Sequence, residues 1–206
     1  MPVAATTRAR ARTRRLLLDA ALRVFARKGA GAAAIHEVAA EAGVSNGTFY
    51  NYFRTREELV AAASAALVER LFVDTSAASV GVTDPAERLA IGMRRFILKA
   101  LEDPTWGAAL LRVWASSAIL VDYAKTPLTG DLRRGKRSGR LRDRSEVAAI
   151  DLVQGAVLAG MRTVLERRAG AEHASAVAAL VLRGLGVAPE EADAIAGRRL
   201  PAPPRA

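Results

Sequence analysis

The amino-acid sequence predicts an all-α fold, with a small N-terminal three-helix unit joined to a larger helical body. Three observations favour helices. Hydrophobic residues make up 51% of the 206 residues and aromatic residues only 5%, with Ala, Leu and Val dominant, and such a composition favours helices over sheets. Apolar residues recur at helical spacing. No alternating run is long enough to require a strand.

The chain begins with alternating small and basic residues, and residues 1–12 are expected to form a disordered basic arm. Thr13 is the expected N-cap of the first helix, along which one apolar stripe runs from Leu17 to Phe25. Gly29 is expected to end this helix, because glycine readily adopts the left-handed conformation of a C-terminal cap.

The segment Ile35–Phe53 is predicted to contain two short helices around a tight turn. Gly43 can end the first of them, and Ser45 can cap the second. This arrangement is a helix-turn-helix, whose second helix enters the major groove of DNA. Phe49 and Phe53 share one face of the second helix and are expected to anchor it in a small core.

The net charge of +10 is unevenly distributed along the chain. Residues 1–30 carry eight Lys or Arg against one Asp, and residues 131–144 carry seven against two Asp. Basic residues beside a helix-turn-helix suit DNA, since neutralising its phosphates releases counterions. The first cluster therefore predicts contact with a double-stranded DNA operator.

The run GVSNGTFYNYFRTREEL, preceded by IHEVAAEA, resembles the N-terminal signature of the TetR/AcrR family of transcriptional regulators. The resemblance begins at Thr13 and extends to about Ala63. It implies a helix-turn-helix DNA-binding domain over residues 13–54, a helical ligand-binding and dimerisation domain over 55–200, and a loose tail over 201–206. The residues that it implies at the DNA are Asn46, Gly47, Thr48, Tyr50, Asn51, Tyr52 and Arg56.

The chemistry of these residues agrees with that role. Asn46 can pair with adenine through two hydrogen bonds, and the Thr48 methyl group can contact a thymine methyl group. Gly47 lets the backbone approach the base edges. Tyr50 can donate its hydroxyl to a phosphate, and Arg56 begins the next helix, where a cation would meet the DNA backbone. The alternative is that the tyrosines only pack within the head and the neighbouring asparagine is solvated.

One position departs from the family pattern. Relatives usually carry Thr or Ser just before the first helix of the motif, and this chain has Ala33 and Ala34. The missing hydroxyl cap should cost about 0.5–2 kcal/mol. We expect the basic arm, from Arg8 to Arg15, to compensate through phosphate or minor-groove contacts.

The first half of the body is predicted to contain three helices. Thr55 and Glu58 have the spacing of a capping box, and the helix that follows is expected to reach Ala78. A second helix is expected over residues 85–101 after Thr-Asp-Pro, and a third from Pro104.

The second half of the body begins with an irregular segment. Residues 126–143 contain Pro127, spaced glycines and the second basic cluster, and they are expected to form a broken helix or a loop. This cluster could touch nucleic acid or membrane, but a solvated loop is the simpler interpretation. Two final helices are expected over residues 145–168 and 174–185.

In the family, the last two helices form a four-helix bundle with a partner, so the resemblance implies a homodimer. The small and apolar residues expected at this interface are Ala156, Ala159, Gly160, Ala176, Ala179 and Leu180. The alternative is that both helices simply complete the core of one subunit.

The resemblance also implies a cavity among the middle helices for an unidentified small-molecule effector. Large apolar and aromatic side chains line such cavities. The candidates are Met93, Phe96, Trp106, Leu110, Trp114 and Tyr123. The alternative for each is an ordinary place in the core.

Several other classes of protein are disfavoured. The chain has no Cys and only two distant His, which argues against disulfides and a metal site. No nucleophile elbow, phosphate loop or dinucleotide motif appears, so neither an enzyme nor a bound cofactor is expected. No secretory signal and no uncharged span of about 18 apolar residues are visible, so we expect a cytoplasmic protein without membrane contact.

The sequence thus predicts a homodimeric repressor that a small molecule releases from a near-palindromic operator. Three alternatives stay open. The chain could be a helical small-molecule-binding protein with a vestigial DNA-binding head, an activator of the same fold, or a basic helical protein at an acidic membrane surface.

Overall fold

The computed structural model describes residues 2–114, 118–142 and 145–202, and within these ranges no residue lies in a strand. The head contains α1 (Pro2–Lys28), α2 (Ile35–Glu41) and α3 (Asn46–Tyr50). The body contains α4 (Arg56–Ala78), α5 (Pro85–Glu102), α6 (Pro104–Trp114), α7 (Ala118–Arg137), α8 (Glu146–Leu165), α9 (Glu172–Gly184) and α10 (Pro189–Gly197). The predicted all-α fold class is therefore confirmed.

Helix α1 begins at Pro2, well before the N-cap predicted at Thr13. The segment expected to be a disordered arm is helical from residue 2 to residue 12, in keeping with the high helix propensity of Ala and Arg. Thr13 lies inside the helix and donates its hydroxyl to the Ala9 carbonyl at 3.2 Å. The end of α1 is as predicted, because Gly29 has a φ of +81°.

The first hydrophobic core joins the head to the body. Leu17 and Phe25 of α1 are fully buried, together with Phe49 of the helix-turn-helix. The same cluster includes Leu110 of α6 and Met161 of α8. A displacement of α6 or α8 would therefore be felt by the residues that hold the head together.

The second hydrophobic core lies at the far end of the body, between α5, α8, α9 and α10. Leu89, Val153 and Leu182 are buried in it. The sequence analysis did not predict α10, which begins with Pro189 at its first turn and buries Ile195 in this core. A short helix with few apolar positions is hard to distinguish from a tail by periodicity alone.

Helix α7 continues through Pro127 to Arg137, where the sequence predicted a broken helix or a loop. Proline removes one backbone hydrogen bond from a helix interior, but burial of Asp131 and Leu132 anchors the helix beyond that point. The chain then turns at Gly139, which has a φ of +70°.

The predicted helix starts in the body are confirmed with one adjustment. Thr55 Oγ1 accepts a hydrogen bond from the Glu58 amide at 3.1 Å, but the Glu58 carboxylate accepts from the Arg54 amide at 2.7 Å, one residue earlier than predicted. Asp84 caps α5 by accepting from the Ala86 amide at 2.9 Å.

Among the helices that the structure describes, α8 alone is long and apolar enough to span a bilayer by length and composition. A core helix of a folded protein passes the same test. Helix α8 packs against α5, α6, α7 and α9 within the subunit.

Candidate nucleic-acid interface and ligand cavity

Helix α3 is held in the head by buried rings on one face and a cap at its start. Phe49 and Phe53 are almost fully buried, with ring centroids 5.8 Å apart. Ser45 Oγ accepts a hydrogen bond from the Thr48 amide at 3.1 Å, and Gly43 has a φ of +69°. The predicted turn and cap are therefore present, and they leave the opposite face of α3 free.

The free face of α3 carries Asn46, Gly47 and Tyr50, all exposed, and the Tyr50 side chain is 54% exposed. Asn51, just after α3, is exposed too. A Cβ atom added to Gly47 would meet only Ser45 Oγ, at 3.8 Å. The fold thus does not require glycine at this position. The absence of a side chain instead leaves the backbone of α3 accessible to a binding partner.

Thr48 and Tyr52 are more committed to the head than the other predicted contact residues. The Thr48 hydroxyl lies 3.0 Å from Ser45 Oγ, and its side chain is half-buried. Tyr52 is also half-buried, with the Arg10 guanidinium 5.8 Å from its ring centroid. This contact agrees with the alternative prediction for Tyr52, namely packing within the head.

The basic part of α1 lies beside the C-terminal end of α3. Arg10 donates a hydrogen bond to the Asn51 carbonyl at 3.5 Å. One turn later, the Arg14 guanidinium lies 5.4 Å from the centroid of the Phe53 ring. The segment that was predicted to be a DNA-contacting arm is thus docked next to α3.

Helix α2 begins without a side-chain cap at Ala34, as its sequence predicts. The Glu37 carboxylate instead accepts a hydrogen bond from the Ala34 amide at 3.0 Å. A hydrogen bond from Lys28 and this backbone bond lower the pKa of Glu37. The acidic residue in the first turn therefore forms its own half of a capping box, the bond to the N-cap amide, while the half that a hydroxyl would form is missing.

Arg56 faces the protein. Its Nε atom donates to the Ala33 carbonyl at 2.7 Å, and a terminal nitrogen donates to the carbonyls of Ala30 and Gly31. These three acceptors are half of the six residues that connect α1 to α2. The sequence analysis placed Arg56 at a DNA phosphate, whereas in the structure its guanidinium binds the loop that leads into the helix-turn-helix.

Part of the positive charge at the end of α1 is also used within the head. The Glu41 carboxylate accepts from Arg23 at 2.7 Å and from Arg27 at 2.6 Å, and both hydrogen bonds lower the pKa of Glu41. Lys28 pairs with Glu37. These residues tie α1 to α2, so the charge available to DNA is concentrated nearer the start of α1.

A cavity of about 120 Å³ lies between α4, α5, α6, α7 and α8. Four of the residues predicted from the sequence line it, namely Met93, Phe96, Leu110 and Trp114. Trp106 does not, because its indole Nε1 donates to the Leu67 carbonyl at 2.6 Å and fixes α6 to α4. The side chain of Tyr123 lies outside the described residues.

The cavity also has polar lining residues that the sequence analysis missed. Thr75 and Gln154 come from α4 and α8, and Arg88 and Asp131 come from α5 and α7. These residues come from four different helices, which sequence spacing alone could not bring together.

The residues predicted at the dimer interface differ in how far they are exposed. Ala159, Ala176 and Leu180 are exposed, and Leu180 is 64% exposed; Ala156 is half-buried. Gly160 and Ala179 are buried within the subunit. At Gly160 a Cβ atom would lie 2.7 Å from Ile97 Cδ1, so this glycine allows α8 to approach α5.

Part of the second basic cluster is held in ion pairs. Arg133 binds Glu146 at 2.7 Å, and Arg140 binds both Asp84 and Glu191, at 3.0 and 2.8 Å. Burial alone would raise the pKa of Asp84, but hydrogen bonds from Arg140 and a backbone amide lower it overall. Arg140 therefore ties the end of α7 to the starts of α5 and α10.

In the part of the chain that the structure describes, no group of three or more His, Cys, Asp or Glu side chains could hold a metal ion.

Two family profiles match this chain. One, described as "Tetracyclin repressor-like, C-terminal domain", matches residues 84–198. The other, described as "Bacterial regulatory proteins, tetR family", matches residues 17–63. The first alone spans more than half of the chain. The chain therefore belongs to the TetR family of bacterial regulatory proteins.

Curated relatives resemble part of the chain. The HTH-type transcriptional regulator BetI of Rhizobium meliloti is 37% identical over 81 residues, which are 39% of this chain and 40% of that protein. An uncharacterised HTH-type transcriptional regulator of Mycobacterium tuberculosis is 32% identical over 92 residues, which are 45% of this chain and 46% of that protein. The matches thus span less than half the length of these relatives.

Solved structures resemble nearly the whole chain. The crystal structure of RolR in complex with the ligand resorcinol has a TM-score of 0.72 and 29% identity, covering 94% of this chain and 97% of that one. The structure of FadR from Bacillus subtilis in complex with stearoyl-CoA has a TM-score of 0.71 and covers 82% of this chain and 97% of that one. Its identity of 19% supports a shared fold alone.

Proposed function

We propose that this protein is a homodimeric transcriptional repressor that binds a near-palindromic DNA operator and is released from it by a small-molecule effector. The observation that carries this proposal is the exposed face of α3. Asn46, Gly47 and Tyr50 project from a helix that Phe49 and Phe53 hold in the head. A short helix with buried anchors and a polar outer face suits the major groove.

The positive charge supports the same surface. Arg10 and Arg14 lie beside α3, and the exposed Arg8 and Arg12 belong to the same helix. We propose that this part of α1 contacts phosphates or the minor groove flanking the major-groove site. Its helical form makes it a rigid extension of the head.

A dimer is supported by apolar side chains on the outer face of α8 and α9. Val147, Leu152 and Leu180 are 68%, 41% and 64% exposed, and Ala159 and Ala176 lie on the same two helices. Exposed apolar surface of this kind marks an interaction site. A second copy related by a two-fold axis would cover both helices and present two recognition helices to one face of DNA.

Effector control is supported by the position of the cavity. Leu110 and Trp114 line it from α6, which also packs against α1. Helix α4 runs from Arg56, which binds the α1–α2 loop of the head, to Thr75 at the cavity. A ligand that prefers one arrangement of α4 and α6 would change the spacing of the heads and thereby DNA affinity.

The proposed role of the protein involves neither catalysis nor contact with a membrane. The family is one of transcriptional regulators, and we propose a non-enzymatic role in the cytoplasm, where chromosomal DNA is accessible. RolR, whose structure contains resorcinol, is a precedent for a small effector in this fold.

The test is a footprint of the protein on the DNA upstream of its own gene. We expect a protected, near-palindromic site that Tyr50→Ala abolishes. Arg137→Ala is the matched control, because it removes an exposed side chain at the end of α7, remote in sequence from α3. A folded dimer that protects no site in flanking DNA, or a footprint indifferent to Tyr50, would overturn the proposal.

A further inference from the structure

The polar atoms in the cavity wall restrict the chemistry of the effector. Thr75 Oγ1 and Gln154 Nε2 are buried, and neither has a hydrogen-bond partner in the part of the chain that the structure describes. Both residues line the cavity. An unpaired buried donor or acceptor is costly, so the two atoms indicate where polar groups of a ligand belong.

The charged residues of the cavity wall satisfy each other. Arg88 Nε donates to Asp131 Oδ1 at 2.7 Å, and another Arg88 nitrogen donates to the Ser79 carbonyl at 2.9 Å. Arg134 also pairs with Asp131. Among the described lining residues the charged side chains are Arg88 and Asp131, and they pair with each other, so a charged group on a ligand would have to compete with an existing ion pair.

The size and walls of the cavity suit a single ring. Its volume of about 120 Å³ is similar to that of an engineered apolar cavity of about 150 Å³ that binds benzene. Phe72, Phe96 and Trp114 supply aromatic surface, and Met93 and Met161 supply adaptable apolar surface.

We propose that the effector is an uncharged single-ring compound with polar substituents, of the hydroxybenzene class. One substituent oxygen accepts a hydrogen bond from Gln154 Nε2, and a second exchanges a hydrogen bond with the Thr75 hydroxyl. This inference rests on the proposed function, because it identifies the ligand of the same effector cavity.

The first test is calorimetric titration of the whole protein with three probes, namely 1,3-dihydroxybenzene, toluene and benzoate. We expect 1,3-dihydroxybenzene to bind tightest, since toluene leaves both polar atoms unpaired and benzoate carries a charge into the cavity. If benzoate bound tightest, the cavity would be a site for anions that pair with Arg88, and the proposal would be overturned. Equal binding of toluene, or no binding of any probe by the folded dimer, would also overturn the proposal.

The second test uses variants that remove the unpaired atoms. Gln154→Leu and Thr75→Val should each weaken binding of 1,3-dihydroxybenzene about 3- to 12-fold, the effect of one hydrogen bond. Both should leave the melting temperature of the free protein equal or higher, because each removes an unpaired buried group. Thr163→Val is the control, since that hydroxyl already donates to the Ala159 carbonyl at 3.0 Å and lies outside the cavity wall.

Unchanged binding in both variants would overturn the proposal. A footprint run in parallel separates this inference from the proposed function. An intact footprint with no binding of the three probes refutes the hydroxybenzene class alone. Tight binding of 1,3-dihydroxybenzene without any footprint refutes the regulator and leaves the ligand class standing.

Discussion

Replacing Arg56 with Gln distinguishes a DNA-contacting role from a role inside the head. A phosphate contact contributes about 0.9 to the slope of log binding constant against log salt concentration, and its loss would leave folding stability unchanged. The structure instead directs the guanidinium to the carbonyls of Ala30, Gly31 and Ala33. We therefore expect Arg56→Gln to destabilise the protein and to leave the salt slope unchanged.

The magnitude follows from the bonds lost. A hydrogen bond involving a charged group contributes about 1.5–3 kcal/mol, and the Arg56 side chain is 31% exposed, which favours the lower end of this range. Gln retains one donor group, so we expect a loss of about 2–3 kcal/mol. At a fixed protein concentration this corresponds to a fall in melting temperature of about 4–12 °C.

The assay combines thermal unfolding with DNA binding at several salt concentrations. Arg54→Gln is the matched control. Arg54 lies two residues before Arg56, carries the same charge and has an exposed side chain. It should leave the melting temperature unchanged. If Arg56→Gln melts at the wild-type temperature and lowers the salt slope by about 0.9, Arg56 is a phosphate contact and the reasoning from its carbonyl partners is wrong.

Three further predictions follow from other parts of the structure. Gly47→Ala should leave the melting temperature unchanged or raise stability by up to about 1 kcal/mol. It should weaken operator binding about 5- to 150-fold, the scale of one base contact. Operator affinity equal to that of the wild type would show that the backbone stays clear of DNA. Leu180→Glu should weaken the dimer by at least about 3–6 kcal/mol, because a two-fold interface loses the side chain twice. Sedimentation should then show monomers. The control variant Val80→Glu changes a residue that is 81% exposed and should stay dimeric. Asp84 has a lowered pKa in the folded protein. Its contribution to stability is therefore present above the pKa of the unfolded state, about 4, and is lost as the pH falls through the folded-state pKa. The stability of Asp84→Asn should depend less on pH below about pH 4, and a pH profile like that of the wild type would contradict this.

Features set by a few neighbouring residues could be predicted from the sequence. Gly43, Ser45 and Thr55 have the predicted turn or cap because the groups that they satisfy lie within three or four residues. The face of α3 was equally predictable, since Phe49 and Phe53 repeat at helical spacing and leave the opposite side to solvent.

Features set by distant residues could not be predicted. Arg56 binds Ala33 across 23 positions of sequence, and its phosphate assignment relied on its place at a helix start. Gly160 has the small size expected of a dimer contact, but only the approach of Ile97 from α5 shows that it serves the subunit interior. The helix through Pro127 likewise depends on burial beyond the proline.

The geometry of α4 gives a physical reason why the proposed effector would control DNA binding. Its 23 residues correspond to a length of about 34 Å at 1.5 Å per residue. Arg56 fixes one end to the α1–α2 loop, while Thr75 lies at the cavity near the other. A tilt of about 5° at the cavity would move the far end of such a helix by about 3 Å. Because paired recognition helices must match half-sites about 34–36 Å apart, a shift of this size in each head is comparable to the rise of one base pair. The same argument requires a stiff connection at Arg56, so Arg56→Gln should reduce the effector's influence on DNA affinity in addition to lowering stability.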